Sequence, residues 1–372
     1  MLKVSDVIFC NRVGVKLENN KVELIILTGG GHIASFTLKA DPLNPLWVPP
    51  WKSTEPGLRK ICDKDEMGES EESQILASIM GHNLCLDVFG DHSKGEMKHG
   101  LLFHGEAGLV NWDVNEFSNK NKVAKLSMKA SLPQTQIDVE RIYTLRENTT
   151  RVEVEEIITN KVGFERAMGR SQHVTIGHEF LKGGCLFSTN ADRGLTWPEE
   201  VRTNGDPFAI NTEFDYPNLP LQSGKTADWG MYPREHNTSD LSTMRINPRD
   251  KQGWLVALQP KRKQALIYIW ERKTFPWLMT WEENHNRDVK PWNKRTLTRG
   301  LEFSSYAFAT SRRDNVERGS LFETPCFEWL DAHERKSTRF TIALEKVRKA
   351  PKQCPVLKKS GKTLVSSQGW KF

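Results

Sequence analysis

The 372-residue chain has no run approaching the roughly 18 apolar residues that a membrane helix requires, so no membrane partner is expected. Its start, MLKVSDVIFCNRVGVKLENN, lacks the unbroken apolar core of a signal peptide. The expected location is therefore cytoplasmic, although a secreted chain already relieved of its leader would read the same. Six cysteines, at 10, 62, 85, 185, 326 and 354, form no CxxC pair and no tight group. That argues against a thiolate metal site or a redox pair and predicts free thiols. An excess of one charge is also missing from most of the chain. The formal net charge is +6, but eight Lys and Arg and no acid lie between Lys346 and Phe372, leaving 45 basic against 47 acidic residues elsewhere. A nearly neutral body gives no support to a nucleic-acid partner. Phosphate loops are missing too: SGKT occurs at 223–226 and 360–363, each time without the upstream glycine.

Helical periodicity is scarce, and EMGESEESQILASIM (66–80) is the one stretch that suggests a short helix. Strand patterns fill the rest. KVELIILTGGGHIASFTLK (21–39) reads as a hairpin turning at Gly29-Gly30-Gly31. Three further runs lie between 122 and 160, where Ile137, Val139, Arg141, Tyr143 and Leu145 recur with a period of two. GWLVALQP (253–260), QALIYIWER (264–272), LEFSSYAFA (301–309) and STRFTIALEKV (337–347) continue the series. Many strands without βα alternation predict an all-β fold, a large antiparallel sandwich. Long irregular connections are expected at 40–60, where DPLNPLWVPPW carries four prolines, and at 190–250. With no internal repeat, the organisation reads as one domain over 1–349 and a solvated, loosely ordered basic tail over 350–372. Oligomeric state is not legible.

Three tracts could carry chemistry. KHGLLFHGEAGLVNWDV (98–114) holds His99 and His104, each followed by a glycine that lets the backbone turn away and leave the ring reachable. RSQHVTIGHEF (170–180) places His173 and His178 five apart. In a continuous strand that odd spacing puts them on opposite faces, so a shared metal is not expected and one of them is a bystander. WLMTWEENHNRDVKPWNKRTLTRGLEFSS (277–305) sets Trp277, Trp281 and Trp292 among Glu282, Glu283, Arg295 and Glu302. Rings that cover an apolar C–H face, beside charged groups that bond hydroxyls, suit a carbohydrate ligand, or are simply core. Glu302 lies between Leu301 and Phe303, where an unpaired carboxylate would be costly, so it has a partner or a task.

Taken in order, the glycine-rich hairpin ending in His32, then FHGEAG…NW, QHVTIG and RGLEFSS resemble the galactose mutarotase-like superfamily, the aldose 1-epimerases and their relatives. The resemblance runs over about residues 20–345. It implies a β-sandwich with a sugar site on the concave face of one sheet. It also implies His104 as a binder of a ring hydroxyl or the ring oxygen, His173 as general acid and Glu302 as general base. The family's Asn before the acid is Gln172 here, its aromatic tract is VTIG, and Phe303 and Ser304 replace the Pro and Gln after the base. The family's arginine has no clear counterpart; Asp215 and Asp228 are candidates for its aspartate.

The implied reaction interconverts sugar anomers: a base removes the C1 hydroxyl proton while an acid protonates the ring oxygen, with no metal or cofactor. Substrate contacts are expected from His104, Trp281, Glu282, Trp292 and Arg295. Two rivals stay open: a carbohydrate-binding protein of the same fold without turnover, and a sugar-phosphate epimerase using Arg166, Arg170, Arg295 and Arg299. A purely structural role ranks last.

Overall fold

The computed structural model describes residues 2–200, 205–234, 237–349 and 351–372. Among these, two large antiparallel sheets of eleven and nine strands stack face to face. The centre of the eleven-stranded sheet runs, in lateral order, through the strands Ile33–Leu38, His82–Leu86, Arg170–Ile176, Leu297–Ser304, Trp277–Asn284 and Thr238–Ile246. The glycine hairpin forms as expected, with Val22–Leu27 paired to Ile33–Leu38. In the nine-stranded sheet, the three runs expected as strands are Val123–Leu132, Ile137–Arg146 and Arg151–Asn160, paired in succession as a meander.

Strand alternation divides the work of each strand between two faces. On Leu297–Ser304, Leu301 and Phe303 enter the apolar core between the sheets, where Phe303 stacks on Trp270 with ring centroids 4.5 Å apart. Glu302 therefore projects from the opposite face, the outer side of the eleven-stranded sheet. Val174 of Arg170–Ile176 likewise faces the core, leaving His173 and Thr175 on the outer face.

Some elements differ from expectation. The 190–250 segment is less irregular than predicted: it contains Ala191–Thr196 and the nine-residue strand Thr238–Ile246. Its sequence TSDLSTMRI is rich in small hydroxyl residues, which dilute the apolar signal. The strand expected over 301–309 ends at Ser304, where Ser304 and Ser305 hydroxyls bond nearby backbone instead of extending the ladder. Two short helices, Lys64–Met67 and Glu71–Leu76, stand where one was expected.

The basic tail is not the loose extension its charge suggested. Ala350 lies outside the described residues, but Leu357–Ser360 and Thr363–Ser366 pair as a hairpin. Leu357, Leu364 and Trp370 pack on Trp254, Val256 and Ile267, on the outer face of the nine-stranded sheet. The SGKT at 360–363 is its turn, with Gly361 at φ 61°. Gly224 in the other SGKT also has a positive φ, 81°, in a turn before Thr226–Asp228. Both tetrapeptides are turn chemistry.

Candidate active site

His173 and Glu302 are directly opposite one another on adjacent antiparallel strands. The same rung continues to Asn83 on one side and Met279 on the other. Cross-strand partners share a face at a spacing fixed by the ladder. His173 Nε2 lies 3.2 Å from Glu302 Oε1, and its Nδ1 lies 3.0 Å from Thr175 Oγ1. Glu302 is only 1% exposed and His173 8%. Burial pushes the Glu302 carboxyl well above the usual carboxylate range and lowers the His173 imidazole to about 4. Both shifts favour neutral forms, so the contact is a hydrogen bond that holds one proton, on Glu302, rather than a full ion pair.

His104 approaches from a loop, its ring centroid 5.0 Å from that of His173 in an edge-on arrangement. His104 and Gly105 both have positive φ, 63° and 76°, which makes the sharp turn read from the HG dipeptide. Gly90 N–H donates to His104 Nδ1 at 3.0 Å, while His104 N–H donates to the Gly90 carbonyl at 3.1 Å. With Nδ1 accepting, the proton of the neutral ring sits on Nε2. Burial holds the imidazole pKa well below its ordinary value, so His104 offers the site a constant N–H donor.

These groups line one cavity of about 260 Å³. That is just under the ~300–1,000 Å³ of ordinary small-molecule sites. Trp281 and Trp292 line it as expected, with ring centroids 5.6 Å apart. Trp47, brought in by the proline-rich loop, adds a third indole stacked near Trp292 at 6.3 Å.

Two expected contacts are corrected. Glu282 follows Trp281 on a regular strand and so faces the inter-sheet side, where it pairs with Arg299 at 2.9 Å and Arg234 at 3.3 Å. Arg295 lies outside the cavity lining, exposed, and donates to the Pro291 carbonyl at 2.9 Å. The other arginines read as phosphate ligands are also engaged elsewhere: Arg166 with Asp87, Arg170 with Glu328, Arg299 with Glu282 and the Trp229 carbonyl. Asp215 and Asp228 are exposed on short strands away from the cavity. His178 is exposed at the start of the helix His178–Leu181, because the strand has already ended at Ile176. It does not line the cavity, and the described residues contain no group of three metal-ligating side chains.

Sequence reasoning passed over several lining residues. Thr175 shares the face of His173 two positions on, a signal that alternation carried. Arg287, Glu72 and Asp91 come from connections and a helix with no such signal. The Arg287 guanidinium lies over Trp292 and Trp281, 5.1 and 5.5 Å from the ring centroids. It is already paired with Glu72 at 2.9 Å and Glu283 at 3.4 Å.

Among solved structures, the fold is similar to the "putative aldose 1-epimerase" of Klebsiella pneumoniae, with a TM-score of 0.62, 10% identity, and coverage of 90% of this chain and 79% of that one. It is also similar to a galactose mutarotase-like protein of Clostridium acetobutylicum (TM-score 0.60, 12% identity, 93% and 99% covered). A galactose mutarotase related enzyme of Lactobacillus acidophilus aligns with a TM-score of 0.56 at 12% identity, over 92% of this chain and 100% of the other. No protein-family model and no curated protein matches the sequence. In fold, the chain is a large antiparallel β-sandwich of the kind these galactose mutarotase-like structures have.

Proposed function

We propose that this chain is an aldose 1-epimerase-like isomerase that interconverts the anomers of a sugar seated in the Trp-walled cavity. The observation that carries the reading is the buried His173–Glu302 hydrogen bond, with the His104 N–H beside it. A pair holding one proton always contains one acid and one base, as anomerisation requires. Sugar hydroxyls replace the hydrogen bonds that burial removed, and the proton crosses from Glu302 to His173 Nε2. The carboxylate then takes the proton of the C1 hydroxyl while Nε2–H protonates the ring oxygen. The ring opens, C1–C2 rotates, and reclosure returns both protons. His104 Nε2–H donates to a sugar oxygen, and the indoles cover the apolar C–H face and limit water.

Polarimetry of freshly dissolved α-anomers, wild type beside Glu302→Gln, tests the reading. The expected result is a wild-type rate above buffer that falls by about 10²–10⁴-fold in the variant. Equal rates in the two proteins would sink the assignment. The reading as a carbohydrate binder without turnover is favoured by one observation: His173 and Glu302 are bonded to one another, so a sugar oxygen has to compete with that bond to reach either group. Sugar binding with no acceleration by wild type would select it. A sugar-phosphate substrate finds little support, because the one arginine among the described lining residues is already paired with carboxylates.

A further inference from the structure

We infer that Thr175 is the positioning residue that fixes the tautomer of His173, and that its hydroxyl also donates to the bound sugar. The inference rests on the anomerase reading and refines it. Thr175 Oγ1 and His173 Nδ1 are 3.0 Å apart, both residues are buried, and both line the cavity. The Thr175 backbone is held on both sides. Its N–H donates to the Gly81 carbonyl at 3.2 Å, and its own carbonyl accepts from Trp47 N–H at 2.8 Å. A β-branched side chain on a strand pinned in this way has restricted χ1, so the hydroxyl stays where the imidazole needs it.

The direction of the Thr175 bond follows from the other ring nitrogen. Burial keeps the Glu302 carboxyl protonated, and across 3.2 Å that carboxyl donates to Nε2, so the proton of the neutral imidazole sits on Nδ1 and is donated to Thr175 Oγ1. When the proton crosses to make an imidazolium, Nδ1–H still faces the same oxygen. When Nε2 gives its proton to the ring oxygen, Nδ1–H remains. Nε2 alone therefore gains and loses the travelling proton, while Nδ1 keeps its own throughout the cycle. With a bare Nδ1 the ring would instead rest with Nε2 protonated, unable to accept from Glu302. Having accepted from Nδ1, Thr175 keeps an O–H with no acceptor among the described residues. The cavity is where a sugar oxygen can take it, next to the oxygen that His173 addresses.

Thr175→Val keeps the shape and removes the hydroxyl; Thr175→Ser restores it. Nitrogen–proton NMR of the histidine rings reads the tautomer without any substrate. Wild type and Thr175→Ser should show His173 with Nδ1–H, and Thr175→Val should shift it toward Nε2–H. In turnover, Thr175→Val should lower kcat by about tenfold or more and alter the pH profile, with Thr175→Ser within about threefold of wild type. An Nε2–H tautomer in wild type, or a Thr175→Val protein with unchanged spectrum and pH profile, would overturn the inference. Should Thr175→Val fail to fold, wild type and Thr175→Ser still decide the tautomer. If no sugar is turned over, the anomerase reading fails by polarimetry, while the NMR result stands separately.

Discussion

The pH response of the site is set by how many protons the His173–Glu302 pair holds. His173 has a depressed pKa, so the ring is neutral above about 4 and takes a second proton for the pair only below it. Glu302 has a raised pKa, so the pair loses its last proton only well above the usual carboxylate range. Between those limits one proton is present and the rate should be flat. kcat/KM measured from acid to alkaline buffers is expected to have its acid limb near pH 4, not at the ordinary imidazole value of 6.5. A limb at that ordinary value would mean a solvated, independently titrating histidine. At this scale the sequence was informative but incompletely read. His104, His173 and Glu302 converge on one cavity, and motif order together with an out-of-place carboxylate pointed to all three. The contact expected of Glu282 is excluded by alternation itself: adjacent residues of a strand cannot both face the cavity that Trp281 lines. Arg287 and Asp91 had no local pattern, because their positions depend on how connections fold over the sheet.

At the scale of the strand, Gly300 has a specific role. It stands two residues before Glu302 on the same face and directly opposite Trp281. A Cβ there would collide with Glu302 Oε1, the atom bonded to His173. The obstacle is the end of a flexible side chain, so the strand can persist while the carboxylate is displaced. On the proposed function, Gly300→Ala should therefore reduce anomerisation by about a hundredfold, the scale of losing one positioned acid–base group. Its melting temperature should move little. Stopped rates and a thermal melt on the same preparation check this, and an unimpaired rate would show that Oε1 need not stay where it is. The long strands were readable because their period of two is strong. The C-terminal hairpin was not, since Lys358, Lys359 and Lys362 dominate its composition. Its burial rests on Leu357, Leu364 and Trp370, too widely spaced to outweigh a count of charges.

For the molecule as a whole, that hairpin covers the outer face of the nine-stranded sheet on the side away from the cavity. Trp370 is 6% exposed there, Ser188 Oγ donates to the Pro355 carbonyl at 2.7 Å, and the Arg151 guanidinium lies 4.0 Å from the Phe372 ring centroid. Trp370→Ala should lower unfolding free energy by about 3 kcal/mol, the lower end for a buried tryptophan, because the ring keeps some solvent exposure and water can enter the space it leaves. Urea denaturation measures it, and the anomerisation rate of the folded variant should be unchanged. A loss under about 0.5 kcal/mol, the range of ordinary surface substitutions, would mean the hairpin only rests on the sheet.

The rung that joins His173 to Glu302 has a further consequence, for protein engineering. The two groups are distant in the chain but need no loop to bring them together, since the ladder that folds the sheet also sets their spacing. Such a dyad is portable. Two substitutions on facing positions of another antiparallel pair, with a threonine two places along and a glycine to make room, would carry the whole arrangement into a scaffold of unrelated ancestry. Cover against water is what the recipient would still have to supply.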